Sequence, residues 1–294
     1  MASKDSDSEK ITKWDDVPKI ILKYTNKNGK KWIFRGQDQC KIKSHLEKEY
    51  ANYFEDGDIR DIEKKLIREF QRKASLYINR VPDKNEIVEW IALMRHYGTP
   101  TRFVDFTYSF YVALYFAIAG LDMSKRRGNA RIYAIDSNGL GSPEYICTKY
   151  KNTIEDYKDK VNEYSYDDIL KLREEKYIDD FILCDFIDNP KSLVYTMNPF
   201  ELNKRLTIQQ GLFLCPGNIS ISFERNLNQT LRDQNKEKRV IFINLQSKTE
   251  RNNILSHLRH MNITNVSLFG TLESFSRTIN ESMAYPEIYD FYAQ

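Results

Sequence analysis

The chain has little of what marks several common protein classes. Four cysteines, Cys40, Cys147, Cys184 and Cys215, are spread over 294 residues with no CxxC pair. That spacing argues against a disulfide framework and against a zinc site, and no other metal motif replaces it. No run of eighteen apolar residues occurs, and the longest stretch, Phe110 to Leu121, is too short to span a bilayer. The opening MASKDSDSEK has no apolar signal core, so a cytoplasmic protein without a membrane partner is expected. There is no P-loop, GxGxxG, HExxH or GxSxG, which speaks against a nucleoside triphosphatase, a Rossmann dehydrogenase, a zincin and an α/β-hydrolase. No internal repeat is present.

What the chain does have is a hydrophobic fraction of 41% and a charged fraction of 30%, enough for a core and a solvated surface. The net charge of +3 is mildly basic and no nucleic-acid signature by itself. Residues 1–10 read as a disordered tail. Residues 11–294 read as a single domain, with a charged, Tyr-rich insertion at about 137–185.

The organising stretch is His96 to Ala119, HYGTPTRFVDFTYSFYVALYFAIA. The run from Phe110 to Ala119 is apolar on every side, so a helix made of it must be buried. A cluster of His, Tyr, Thr, Arg and Asp precedes it and is expected at the helix N-terminus, where free N–H groups favour anions. Upstream, WIFRGQ (32–37) reads as a strand, with Ile33, Arg35 and Gln37 on one face and Trp32, Phe34 and Gly36 on the other. Arg35 lies close to buried surface and needs an anionic partner, either Asp105 or a ligand phosphate held by its planar fork. Gly36 would let a ligand approach the backbone.

Periodicity predicts helices over 11–24, 59–76, 85–95, 248–261 and 271–279. It predicts strands over 130–136, 192–200, 212–215, 219–223, 239–245 and 266–269.

Four blocks of the sequence coincide with a known pattern: FRGQ at 34–37, HYGTPTRFVDFT at 96–107 with VALYFA at 112–117, RLTIQQGLF at 205–213, and LRHMNITNVSLFGTLESF at 258–275. In this order and spacing the chain resembles the FRG domain family. One departure is Gly270-Thr271-Leu272-Glu273, where the family usually has Pro-Asp-Leu-Asp. The final acid is kept in kind, and the first acidic position is lost.

FRG domains have been likened to ADP-ribosyltransferases and recur in bacterial conflict and phage-defence settings. The resemblance therefore implies an α+β fold with a mixed, split β-sheet, surrounding helices and one buried central helix. It implies NAD as substrate and no metal. It also implies a toxin-like ADP-ribosyltransferase acting on a macromolecule, with RNA the expected acceptor and an antitoxin or other inhibitory protein as partner. A non-catalytic nucleotide- or partner-binding sensor and an NAD glycohydrolase are the alternatives.

Cleavage of the nicotinamide–ribose bond passes through an oxocarbenium-like state. On that chemistry Arg35, His96, Arg102, Gln210 and Glu273 are the candidate catalytic residues. Phe34, Arg35, Gly36, Gln37, Tyr97, Thr101, Asp105 and Gln209 are the candidate NAD contacts, with Asp105 orienting Arg102.

Overall fold

The computed structural model of the chain describes residues 9–24, 29–53, 57–121, 123, 128–142, 145–146, 149, 178–199 and 204–282. Most of the 137–185 insertion and the first eight residues lie outside them. Among the described residues no helix is long and apolar enough to cross a membrane, and no group of three or more His, Cys, Asp or Glu is placed to hold a metal ion.

The fold is mixed α+β, built on one seven-stranded sheet. The strands are β1 (Lys10–Ile11), β2 (Trp32–Gln37), β3 (Val104–Thr107), β4 (Gly128–Asp136), β5 (Val194–Met197), β6 (Gly211–Pro216) and β7 (Lys238–Leu245), in the order β1-β7-β4-β2-β3-β6-β5. β1 pairs in parallel with β7, and every other neighbour pair is antiparallel. The helices are α1 (Asp16–Ile21), α2 (His45–Tyr53), α3 (Ile59–Lys73), α4 (Ile87–His96), α5 (Phe110–Ile118), α6 (Ile178–Asp188), α7 (Lys204–Ile208), α8 (Phe223–Asp233), α9 (Lys248–His260), α10 (Asn265–Phe269) and α11 (Leu272–Ser282).

Against the expectation of a split sheet, the seven strands form one continuous sheet. β2 meets β4 over six residue pairs, from Trp32↔Asp136 to Gln37↔Arg131, and β3 meets β6 over four. Between β2 and β3 the register is one pair, Phe34↔Thr107. The strand order is continuous, while the ladder narrows to a seam at its middle.

α5 is buried as its composition demands, with Val112, Ala113, Leu114, Ala117 and Ile118 all 3% exposed or less. Ser109 caps its start by accepting from the Val112 N–H. It packs with Trp32 and Phe34 of β2 in one core cluster, and Ile33 faces another, so the predicted alternation of β2 holds.

Gly36 has a packing role that the sequence did not suggest. A Cβ there would lie 1.7 Å from the Ala113 carbonyl oxygen and 2.8 Å from the Ala117 nitrogen. Its missing side chain lets the central helix lie against the strand.

Several local expectations are corrected. Residues 11–24 begin as strand β1 before turning into α1 and a 3₁₀ turn at Leu22–Tyr24. The polar block at 96–107 does not sit at a helix N-terminus. His96 ends α4, and Val104–Thr107 is a strand, because Val104 and Phe106 alternate into the core on either side of Asp105. Residues 219–223 are a turn and the start of α8, where Ser222 accepts from the Arg225 N–H. Residues 266–269 lie in α10, which a Thr264–Ser267 capping box starts and Gly270 in the left-handed region ends. Both apolar runs were too short for periodicity to separate helix from strand.

Candidate functional site

Where β2 and β3 part, a cleft of ≈ 340 Å³ opens. Phe34, Arg35, Gly36, Gln37 and Asp38 line it from β2 and the residue after it, and Asp105, Phe106 and Thr107 from β3. α5 and the residues beyond it contribute Ala113, Phe116, Ala117 and Gly120, an i, i+3, i+4, i+7 set that makes one apolar wall. Arg95 comes from the last turn of α4, Arg205 from α7 and Gln209 from the turn after it. The cleft thus has an apolar side and a cationic side.

Charge is organised around Asp105. The Arg95 guanidinium donates to its Oδ2 through Nε at 3.0 Å and also through Nη2. Arg35 Nη1 donates to the Asp105 backbone carbonyl at 2.7 Å and lies 3.9 Å from the same Oδ2. Arg35 Nε donates to Gln37 Oε1 at 2.9 Å, and Gln37 in turn donates from Nε2 to the Gln39 and Lys41 carbonyls, each at 2.9 Å. The guanidinium of Arg35 therefore bridges the seam where ladder hydrogen bonds are missing.

Burial raises the Asp105 pKa, but Arg95, Arg35 and Arg205 outweigh it and hold the group below the usual carboxylate value. Burial lowers the pKa of Arg35, Asp105 opposes that shift, and Arg95 adds to it. Arg205 is likewise lowered by burial, with a further contribution from Arg95. Arg205 sits 4.5 Å over the Phe269 ring, which sets its side chain, while Gln209 Nε2 donates to the Leu268 carbonyl at 3.1 Å. Asp105 and the exposed Asp38 are the two acids of the lining, against three guanidinium groups, so the cleft carries excess positive charge.

Of the residues singled out from the sequence, Phe34, Arg35, Gly36, Gln37, Asp105 and Gln209 come together on this cleft. The others do not line it. Arg102 is fully buried and donates through Nε to Glu63 Oε1 at 2.7 Å, through Nη2 to Glu63 Oε2, and through Nη1 to the Pro216 carbonyl at 3.3 Å. Its partner is Glu63 rather than Asp105, and every donor direction points into the core.

His96 lies beside the cleft, near Arg205. Burial and the Arg205 charge both lower its pKa, and its buried Nδ1 has no hydrogen-bond partner among the described residues. Tyr97 is exposed and meets the His96 ring edge-on. Thr101 is buried and offers its carbonyl to the Leu46 N–H at the start of α2. Gln210 is exposed with φ +47, a turn position ahead of β6 whose carbonyl accepts from the Tyr108 N–H. Glu273 is exposed in the first turn of α11, where its own backbone N–H and Thr271 lower its pKa. That is a helix-start contact with no link to the cleft.

Arg95 and Arg205 escaped the sequence reading. Arg95 adjoins the HYGTPTR block, yet its partner Asp105 is ten residues away across a loop, which no helical or strand spacing reveals. Arg205 lies inside the RLTIQQGLF block, but nothing local shows that α7 would turn it toward β3.

No curated protein and no solved structure matches the chain. The family model of the FRG domain matches residues 30–126, about a third of the chain, from the lead-in to β2 through α5. The matched segment supplies Arg35, Arg95 and Asp105 together with the apolar wall, whereas Arg205 and Gln209 come from outside it. The cleft floor is thus the part of this protein that matches the FRG domain.

Proposed function

We propose that the cleft binds NAD, with the diphosphate on the cationic side and a ring against the α5 wall, and that the chain transfers ADP-ribose from it to a macromolecule, RNA being the acceptor to test first. The observation that carries the reading is the convergence of Arg35, Arg95 and Arg205 on a cleft whose acids are Asp105 and the exposed Asp38. Planar guanidinium forks pair with phosphate oxygens in a bidentate way, and excess buried charge is relieved by an anion. The apolar i, i+3, i+4, i+7 wall offers an aromatic ring a flat surface. A seam opened within a mixed sheet supports the likeness to ADP-ribosyltransferases. In a toxin setting the chain would act with an inhibitory protein partner.

A second reading, nucleotide sensing without turnover, is favoured by one feature. Asp105 is engaged by Arg95 and Arg35, and Glu273, which resembles the expected catalytic acid, is not on the cleft lining.

Calorimetric titration with NAD, beside nicotinamide release in separate RNA, DNA and protein pools, tests both readings. Transfer predicts acceptor-dependent release and label on one pool. A glycohydrolase predicts release without any acceptor, and a sensor predicts binding alone. Arg205→Ala is expected to weaken NAD binding about ten-fold. Folded protein that does not bind NAD defeats the proposal.

A further inference from the structure

On the α2 side of the Arg35–Asp105–Arg95 cluster lies a smaller basin of ≈ 100 Å³, lined by Arg35, Lys43, His45, Lys48, Arg95 and Asp105. Both guanidinium groups of the cluster, and Asp105, are shared with the main cleft. The cluster is therefore a partition with a cavity on each side. Lys43 precedes α2, and His45 and Lys48 lie on its first turn, one helical turn apart. His45 Nε2 lies 3.5 Å from Glu49, and its buried Nδ1 has no hydrogen-bond partner among the described residues. The acids that act on the two lysines from outside the lining are Glu47 on Lys43 and Asp38 on Lys48.

We propose that this basin is a second phosphate subsite, taking a phosphate group other than the diphosphate in the main cleft, with Lys43, Lys48, Arg35 and Arg95 as its donors.

Size and charge both support this. At ≈ 100 Å³ the basin is far smaller than the main cleft and has room for one tetrahedral anion. Four cationic groups face one shared carboxylate, and Asp105 is already engaged by Arg95. Burial lowers the pKa of Lys48, Arg35 and Arg95 repel it further, and Asp38 offsets part of that shift. An anion seated here would relieve that repulsion on three sides. The ligand of the protein would then carry phosphate on both sides of Asp105. Such a phosphate is either a phosphomonoester on a dinucleotide or a backbone phosphate of the strand that accepts ADP-ribose. This inference builds on the nucleotide reading of the main cleft, but the basin itself can be tested without it.

The test is calorimetry of wild type, Lys43→Ala/Lys48→Ala and Arg205→Ala with four probes: inorganic phosphate, NAD, its 2′-phosphorylated form NADP, and a short single-stranded oligoribonucleotide. Circular dichroism melting confirms that each variant is folded. The double variant is expected to lose phosphate affinity about ten-fold or more, while NAD affinity changes less than about three-fold. Arg205→Ala is expected to show the reverse. A parallel loss for NADP identifies the phosphomonoester as the source, and a loss for the oligoribonucleotide alone identifies the strand. Phosphate binding that depends on Lys43 and Lys48 without any NAD binding upholds the basin and removes the NAD reading. Phosphate affinity unchanged in the folded double variant, or equal losses for phosphate and NAD, overturns the subsite.

Discussion

Arg102 and Glu63 form a two-point ion pair with both side chains out of solvent, 0% and 3% exposed. It joins α3 to the loop before β3, and Arg102 extends it to the Pro216 carbonyl at the end of β6. Truncating one member leaves a buried charge without a partner. Glu63→Ala is therefore expected to destabilise the fold by about 3–5 kcal/mol, read as a fall in the urea midpoint. Arg102→Met/Glu63→Leu, which removes both charges, is expected to lose much less. Equal losses would mean that packing, not charge, holds this joint.

Gly36→Ala is expected to cost on the order of 3 kcal/mol, since the added methyl meets backbone of α5 rather than a side chain that can swing away. Because α5 is also a wall of the cleft, ligand affinity should fall with stability. Gly98→Ala is a useful control. Gly98 has φ +83 with open space around it, so the substitution costs only the left-handed strain, about 1 kcal/mol, and leaves binding intact. Thermal melts and NAD titrations of the two variants should separate them.

Asp105→Asn removes the carboxylate that neutralises Arg95 and Arg35. Two effects of opposite sign are expected. The fold loses stability, as the paired guanidinium groups lose their counter-charge, and anions bind more tightly, by about ten-fold for inorganic phosphate at low salt. Raising the ionic strength should shrink the gain. Phosphate affinity that falls in Asp105→Asn would mean the carboxylate positions the donors more than it competes with the ligand.

Asp180 in α6 accepts from the Val88 N–H at 2.7 Å, yet its pKa is raised to about 6, by burial first and by the charges of Glu89, Glu86 and Asp179 after it. A carboxyl whose folded pKa exceeds its unfolded value holds its proton more tightly when folded. The associated stability is present below about pH 4 and is lost as pH rises through about 6. Asp180→Asn keeps an acceptor for Val88 without the charge. It is expected to be more stable than wild type by about 1–2 kcal/mol at pH 8 and to show no gain at pH 4. Chemical denaturation at the two pH values measures the difference.

Much of this layout was legible in the chain. The all-apolar face of residues 110–119 required burial, and the alternation of WIFRGQ put Phe34 and Gly36 on one face and Arg35 on the other, though not which face the helix would cover. Local pattern could not say which carboxylate each arginine would meet. Arg102 and Asp105 are three residues apart, a spacing that joins side chains on a helix, but here Asp105 lies in β3 and Arg102 in the loop before it, turned to Glu63. Glu63 was equally hidden. The apolar stripe of α3 reads through Ile62, Leu66 and Phe70, whereas the buried line runs through Ile59, Glu63 and Ile67, because Arg102 draws a carboxylate inward. The cleft itself follows from the one-pair ladder between β2 and β3, and pairing between distant strands leaves no trace in the periodicity of either.

Strands that lack a neighbour usually sit at the rim of a sheet, where their free amides and carbonyls invite pairing with another chain. Here a thinly paired stretch also lies in the interior, where β2 and β3 share the pair Phe34↔Thr107 and β4 and β6 close off their outer sides. Backbone at the seam can therefore meet a small solute, while pairing with another chain is left to the outer strands of the sheet, β1 and β5.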